Sequence, residues 1–219
     1  MNYPTLLGRG VYTPSEAARL LGLSSAKLRR WSSDDELKAL WANEFSQFFE
    51  TSELSFLDIQ QARVISAFRH AGVSLQSIRR ALRSASEILG TPTPFAHSDI
   101  QTDGRSLFLK TTDAGSEKVL VDLLKSQYTF ERIIRPTFKD IDFDNKVASR
   151  WWPLSRSRRV VIDPRRSFGR PVDVETGVET EVLVSAVEAE GGVKEAAAAF
   201  DVPVAAVKAA IEFETKLAA

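Results

Sequence analysis

The apolar pattern near the N-terminus predicts two short helices joined by a tight turn. Thr13 opens the run Thr-Pro-Ser-Glu16, in which a capping hydroxyl is followed three residues later by a carboxylate, as at many helix N-termini. Apolar residues follow at helical spacing until Gly22, which suits a helix end because glycine adopts left-handed backbone angles at little cost. Ser24 then caps a second helix that runs to about Trp31. This arrangement predicts a helix-turn-helix.

A second helix pair is predicted after an aromatic segment. Residues 33–53 are expected to form a β-hairpin wing that packs on the helices. The aromatic residues of this wing are Trp41, Phe45, Phe48 and Phe49. Ser55 with Asp58 repeats the capping signal, and the apolar spacing that follows predicts a helix ending near Gly72. A fourth helix is predicted from Leu75 to about Leu89.

The pattern becomes less regular after the fourth helix. The run Gly-Thr-Pro-Thr-Pro at 90–94 breaks the helical spacing and marks a domain edge. Segments 105–110 and 115–121 suggest a β-hairpin, whereas 124–136 fits a helix or an extended segment. Alternation over Asp140–Asp144 predicts a half-exposed strand. Its three aspartates lack the spacing of a calcium-binding loop and are interpreted as a solvated face.

The C-terminal third is predicted to be helical. Val160–Pro164 is expected to form a short strand and turn, and helices are expected at 182–190, 194–200 and 203–217. The fold is therefore expected to be α+β, mainly α with small β elements. It comprises an N-terminal winged helix-turn-helix, a short β-containing middle region and a C-terminal three-helix domain.

Charge is unevenly distributed, although the 29 basic and 29 acidic residues cancel. Residues 1–90, the predicted winged helix-turn-helix, carry a net +2, and the middle region 91–148 carries −1. Residues 149–172 carry seven arginines against one aspartate, and by composition this segment is a basic Trp/Arg linker and strand. Residues 173–219, the predicted three-helix domain, carry ten acidic residues against three lysines. A basic segment beside an acidic domain favours charged partners.

Two adjacent tryptophans, Trp151 and Trp152, stand in the basic segment. Side chains of this size are seldom left in water, so they either dock on the preceding sheet or anchor a partner. Both alternatives remain open at this point.

Two stretches resemble known families. Val11–Trp31 is similar to the winged helix-turn-helix of MerR-type regulators, and Leu57–Ile59 with Phe68–Arg80 resembles the helix pair that follows it in that family. From Arg159 to about Phe213 the chain resembles the short domain of VapB-type antitoxins. The order of all these motifs is similar to that of the longer VapB-like antitoxins of actinobacterial type.

The resemblance implies an antitoxin of a type II toxin–antitoxin system, which inhibits a cognate PIN-domain ribonuclease and autoregulates its operon through operator DNA. The second helix would enter the major groove of DNA as part of a homodimer. The residues expected to bind DNA are Ser25, Lys27, Arg29 and Arg30. The residues expected to bind the acidic toxin site are Arg150, Trp151, Trp152, Arg156, Arg158 and Arg159.

Three alternatives remain open. The acidic C-terminal domain, rather than the basic segment, would grip a basic face of the toxin. The protein would otherwise be a stand-alone MerR-like transcription regulator, or an adaptor whose arginine-poor wing no longer holds DNA.

Composition excludes several other classes of function. Cysteine is absent, which rules out disulfides and thiolate metal sites and favours a reducing compartment. No nucleophile elbow, glycine-rich phosphate loop or histidine pair with metal-ligand spacing occurs. We therefore expect a non-enzymatic protein with no catalytic residues, no metal site and no cofactor. No apolar run is long enough to span a membrane and no signal-peptide pattern is present, so the expected location is cytoplasmic.

Overall fold

The computed structural model describes residues 6–33, 39–46, 48, 52–102, 127–154 and 159–218. The chain forms two compact units. The first unit consists mainly of residues 12–148, and the second consists of residues 149–219 together with a short stretch that precedes residue 12.

The first unit begins with helices α1 (Pro14–Leu21) and α2 (Ser25–Trp31), both at the positions predicted from the sequence. The capping box is formed: the Glu16 N–H donates to Thr13 Oγ1 at 3.2 Å, and the Thr13 N–H donates to Glu16 Oε2 at 2.8 Å. Gly22 ends α1 with a φ of 62°, a left-handed conformation that favours glycine. Local capping groups therefore set the turn between the two helices.

Two longer helices follow, α3 (Phe56–His70) and α4 (Leu75–Leu89), again as predicted. A 3₁₀ turn at Pro94–Ala96 leads to the short helix α5 (Asp99–Thr102), and α6 spans Gln127–Phe138. The largest fully buried side chains of this unit come from several elements and form its core: Leu28, Phe45, Leu54, Phe56, Ile59, Ile65, Phe68, Ile78, Phe95 and Ile100.

The described part of the aromatic segment between the two helix pairs contains no strand of the predicted wing. Trp41 and Phe45 are buried, as a packed segment requires, whereas Phe48 is 44% exposed. The described residues between 39 and 53 form turns and no strand, and Leu54 makes a single bridge to Tyr12. The rest of the predicted hairpin, including Phe49, lies outside the described residues.

Asp58 connects this segment to α3. Its Oδ1 accepts the indole N–H of Trp41 at 2.8 Å, and its Oδ2 accepts the backbone N–H groups of Glu44 and Ser55 at 3.1 and 2.9 Å. Burial raises the pKa of Asp58 to about 6, while these hydrogen bonds act in the opposite direction. The carboxylate that caps α3 therefore also fixes the aromatic segment, a role that the capping pattern alone does not reveal.

The middle region contains a helix and the start of a sheet. The predicted hairpin at 105–110 and 115–121 lies outside the described residues. The sequence allowed either a helix or an extended segment at 124–136, and the structure shows helix α6 from Gln127 onwards. Strands β1 (Ile141–Asp144) and β2 (Val147–Trp151) follow, and β1 confirms the predicted strand. Asn145 and Lys146 join them with φ values of 46° and 70°, as in tight hairpin turns.

Strands β3 (Val160–Ile162) and β4 (Pro171–Asp173) complete a four-stranded sheet in the order β1-β2-β3-β4. The pairs β2–β3 and β3–β4 are antiparallel, with Trp151 opposite Ile162 and Val160 opposite Asp173. Strand β3 confirms the short strand predicted at Val160–Pro164, and its three residues are buried. Strand β2 shows in addition that Arg150 and Trp151, interpreted from composition as part of a linker, are strand residues.

Three helices finish the second unit: α7 (Thr180–Ala189), α8 (Val193–Ala199) and α9 (Val204–Ala218). They lie within a few residues of the predicted segments. Their core is built of small and aliphatic side chains: Leu183, Ala186, Ala196, Ala197, Val202, Ala206, Val207 and Ala210. The alanine-rich contacts let the helices pack closely.

Candidate functional site

Helix α2 presents two arginines to solvent. Arg29 and Arg30 are exposed, whereas Leu28 on the opposite face is fully buried. Within the described part of the chain, neither arginine side chain makes a hydrogen bond or ion pair. Ser25 and Lys27, the other residues predicted to bind DNA, are half-buried.

Lys27 is held near the helix surface. Its Nζ lies 5.9 Å from the centre of the Trp31 ring, within range of a cation–π contact. The side chain of Trp31 itself is 3% exposed and anchors α2 to the unit. The helix is thus fixed by buried residues, while its two arginines remain available to an anion.

The tryptophans of the basic segment are buried. Trp151 is 9% exposed and Trp152 is 8% exposed. Trp152 packs against Val161 and Val172 in a small apolar cluster of the second unit. Of the two alternatives left open by the sequence, docking inside the chain is the one that the structure presents for these side chains. Their predicted role in toxin binding stays a prediction.

Arg150 is bound to a buried carboxylate. Its Nε donates to Asp163 Oδ2 at 2.9 Å, and Arg165 donates from Nε and Nη2 to both Asp163 oxygens at 3.0 Å. The Asp163 side chain is 4% exposed. Burial acts to raise the pKa of Asp163, but the hydrogen bonds and charges of the two arginines outweigh it and hold the pKa below its usual value.

Arg159 is bound in the same way to Asp173. Its Nε and Nη2 donate to the two carboxylate oxygens at 2.7 and 3.0 Å, and Nη2 also donates to Glu175 at 2.7 Å. Asp173 is 2% exposed and accepts the N–H and hydroxyl of Thr176 as well. Burial acts to raise the pKa of Asp173, but these donors, Arg159 first, hold it below the usual value.

The remaining arginines of the segment divide into two groups. Arg166 donates to the carbonyl of Val174 at 2.8 Å, and Arg170 pairs with Glu179 at 3.3 Å. Arg156 and Arg158 lie outside the described residues. Much of the segment's positive charge is therefore compensated by acidic and carbonyl groups of its own unit, a pairing that the charge count does not reveal.

In contrast to the basic segment, a groove in the second unit is lined mainly by acidic and apolar residues. Its lining residues include Glu181, Ser185 and Ala189 of helix α7, together with Phe200. Phe200 is 39% exposed, unusually open for a phenylalanine. The groove could not be predicted from the sequence pattern. The sequence shows only that residues 173–219, which include most of its lining, are acidic overall.

The described ranges contain no group of three His, Asp or Glu side chains that could hold a metal ion. Every helix in those ranges is too short or too polar to cross a membrane. No family model matches the chain.

The chain is 31% identical over 188 residues to a Mycobacterium tuberculosis protein named "Putative antitoxin VapB45", and the match covers 77% of this chain and 78% of the relative. The chain belongs to the VapB-type antitoxin family. Its fold is similar to the crystal structure of Rv2018 from Mycobacterium tuberculosis, with a TM-score of 0.71, 27% identity and coverage of 91% of this chain and 96% of that chain.

In this member of the VapB-type family, six of the predicted site residues fall into three groups. Arg29 and Arg30 are open to solvent, whereas Trp151 and Trp152 are buried. Arg150 and Arg159 are the residues held in ion pairs.

Proposed function

We propose that this chain is the antitoxin of a type II toxin–antitoxin system. It binds and inhibits a cognate PIN-domain ribonuclease and binds operator DNA to autoregulate its operon. The observation that carries the proposal is the 31% identity to VapB45 over 77% of the chain, because a match of that extent includes most of the folded sequence. The PIN-domain partner and the operator are our extension of that similarity.

Each unit offers a surface that suits one of the two proposed binding functions. DNA binding requires exposed cations on an element that fits the major groove, and α2 offers Arg29 and Arg30 on its solvent side. Toxin binding requires an interface of about 800 Å² on each partner. The second unit offers acidic and apolar surface for such an interface.

The test of the antitoxin role is co-expression of the chain with the product of the adjacent reading frame. We expect the two proteins to co-purify and the ribonuclease activity of the toxin to fall to background at equimolar ratio. The matched measurement is the activity of the toxin alone at the same concentration. A toxin that remains fully active in the presence of excess antitoxin would contradict the proposal.

A stand-alone transcription regulator is the second candidate, and the open arginines of α2 favour it equally. The two candidates differ in their partner. A regulator binds its promoter and leaves the neighbouring gene product unbound, whereas an autoregulating antitoxin binds both. A homodimer, which both candidates use to read two half-sites, is tested by light scattering of the purified chain.

A further inference from the structure

The groove on α7 is lined by residues from one face of that helix. Residues four apart on a helix lie on one face, and Glu181, Ser185 and Ala189 follow this spacing along the groove. Because serine and alanine are small, the backbone of a partner can approach α7 closely. Val182 lines the same groove and is 39% exposed.

The charged residues that line the groove carry a net negative charge. Glu181 and Glu190 are exposed lining residues, and neither has a partner among the described residues. The groove is also lined by a cation, Arg170, but this side chain is already paired with Glu179 at 3.3 Å. Residues 173–219 contain ten acidic residues and three lysines. An incoming cationic group would therefore be attracted to the groove and find carboxylates able to bind it.

Apolar surface lies beside these carboxylates. Phe200 follows the end of α8 and is 39% exposed, and Val182 is equally exposed. An aromatic residue in such a position is a typical anchor for a protein partner. The groove thus combines an apolar surface with the negative charges of Glu181 and Glu190.

The basic segment offers less to a partner. Its described arginines Arg150, Arg159 and Arg165 are bound to buried aspartates, and Arg166 is bound to a backbone carbonyl. Breaking these pairs to bind a toxin would leave buried carboxylates unpaired, which is strongly unfavourable. The groove on α7 is therefore favoured over these arginines as the surface that contacts the toxin.

We propose that the groove of Glu181, Glu190, Val182 and Phe200 binds a cationic amphipathic segment of the toxin. Lysine or arginine side chains of that segment bind Glu181 and Glu190, and an apolar side chain packs on Val182 and Phe200. This inference rests on the proposed antitoxin function and adds to it the chemistry of the partner surface.

The test uses charge reversal at neighbouring positions of the chain. Glu190→Lys changes a groove residue at the end of α7, and Glu188→Lys makes the same change in net charge on α7 outside the groove. The full-length variants are titrated against the purified product of the adjacent reading frame by calorimetry. We expect Glu190→Lys to raise Kd about tenfold or more, and Glu188→Lys to change it less than about twofold.

A second pair of variants tests the apolar surface. Phe200→Ala removes the anchor, and Val204→Ala truncates another exposed apolar residue, 37% exposed, that does not line the groove. We expect Phe200→Ala to raise Kd about tenfold, whereas Val204→Ala has little effect. Thermal melting of all four variants reports whether each is folded, and the exposed positions predict that they are.

The outcomes separate this inference from the proposed function. If the unmodified chain does not bind the neighbouring product, the antitoxin role fails and the groove proposal fails with it. If it binds, and Glu190→Lys and Phe200→Ala bind as tightly as their controls, only the groove proposal is overturned. A change in self-association with unchanged toxin affinity would assign the groove to a second copy of this chain and would also overturn it.

Discussion

Arg159 holds the buried carboxylate of Asp173 through two hydrogen bonds of 2.7 and 3.0 Å, one to each oxygen. The register of β3 and β4 brings the two residues together, since Val160 lies opposite Asp173 and the carbonyl of Arg159 accepts the N–H of Val174 at 2.9 Å. A fork-shaped donor on a carboxylate is among the stronger ion-pair geometries. A residue predicted from sequence to bind a partner thus contributes to the stability of its own unit.

Replacing Arg159 should therefore destabilise the second unit. Arg159→Ala leaves Asp173, which is 2% exposed, without its main donor, and we expect a loss of about 2–3 kcal/mol in the free energy of unfolding. Arg170→Ala is the control, because the Arg170–Glu179 pair is exposed and should contribute less than about 1 kcal/mol. Urea unfolding measures both. Equal losses in the two variants would contradict the structural role of Arg159.

The stability difference between the unmodified chain and Arg159→Ala should depend on pH. The pKa of Asp173 is lowered in the folded chain, so its contribution is complete above the ordinary value of 3.8 and is lost as the pH falls through the lower folded value. Protonated Asp173 no longer attracts a guanidinium. We expect the difference to be full at pH 7 and to narrow below about pH 4, measured by urea unfolding over a pH series. A difference that stays constant down to pH 3 would exclude the ion pair as its source.

Asp58→Asn should loosen the aromatic segment of the first unit. The amide has one acceptor oxygen, whereas Asp58 accepts donors on both oxygens from Trp41, Glu44 and Ser55. At least one buried N–H is left without an acceptor, and we expect a cost of about 1–3 kcal/mol. Trp41→Phe is the companion variant, because it deletes the indole N–H and keeps an aromatic ring. Thermal melting at pH 7 compares them, and an unchanged melting temperature for Asp58→Asn would contradict this assignment.

The carboxyl of Asp58 should also titrate at unusually high pH. Burial raises its pKa to about 6, so the stability linked to protonation of Asp58 is complete below the ordinary pKa of 3.8 and is lost as the pH rises through about 6. Chemical-shift titration of the folded protein by NMR measures this pKa directly. A midpoint near 4 would contradict this expectation and show that the three donors fully offset the effect of burial.

Arg29 and Arg30 should control DNA affinity if the protein binds DNA. Arg29→Ala with Arg30→Ala removes two exposed cations, and Lys194→Ala with Lys208→Ala removes two exposed cations from the acidic unit. Binding of the promoter region, followed by fluorescence anisotropy, should weaken in the arginine variant. Its log–log salt slope should fall by about 0.9 for each phosphate that the variant no longer neutralises. An equal effect of the lysine pair would indicate a general charge effect instead.

The basic segment can be tested with Arg156→Ala combined with Arg158→Ala, which leaves the Arg159–Asp173 ion pair in place. If the arginines of this segment plug the toxin site, co-purification with the neighbouring product should fall by about tenfold or more. Under the groove proposal, co-purification is retained. For Glu190→Lys the expectations are reversed: co-purification should fall under the groove proposal and be retained if the arginines bind the toxin.

The helix boundaries could be predicted because their causes are local. Thr13 with Glu16 and Ser55 with Asp58 cap their helices within four residues, and Gly22 ends α1 through its own backbone freedom. Sequence signals of the same short range place the three C-terminal helices to within a few residues. Because these interactions join residues that are close in sequence, the helix boundaries can be predicted without knowing how the rest of the chain folds.

The candidate site was predicted only in part. The cationic residues of α2 could be named from sequence, because a helix face follows from residue spacing. The partners of Arg150 and Arg159 could not, because they lie 13 and 14 residues away along the chain, at Asp163 and Asp173. A count of charges shows an excess of arginine but not which arginines are compensated.

The sequence by itself determined the capped helices, the α+β class and the separation of basic and acidic segments, since each depends on neighbouring residues or on composition. Only the tertiary structure decided that Trp152 packs on Val161 and Val172 and that Arg159 binds Asp173. These interactions depend on the register of strands that are distant in sequence, and a pairing shifted by one residue would turn each side chain to the other face of the sheet.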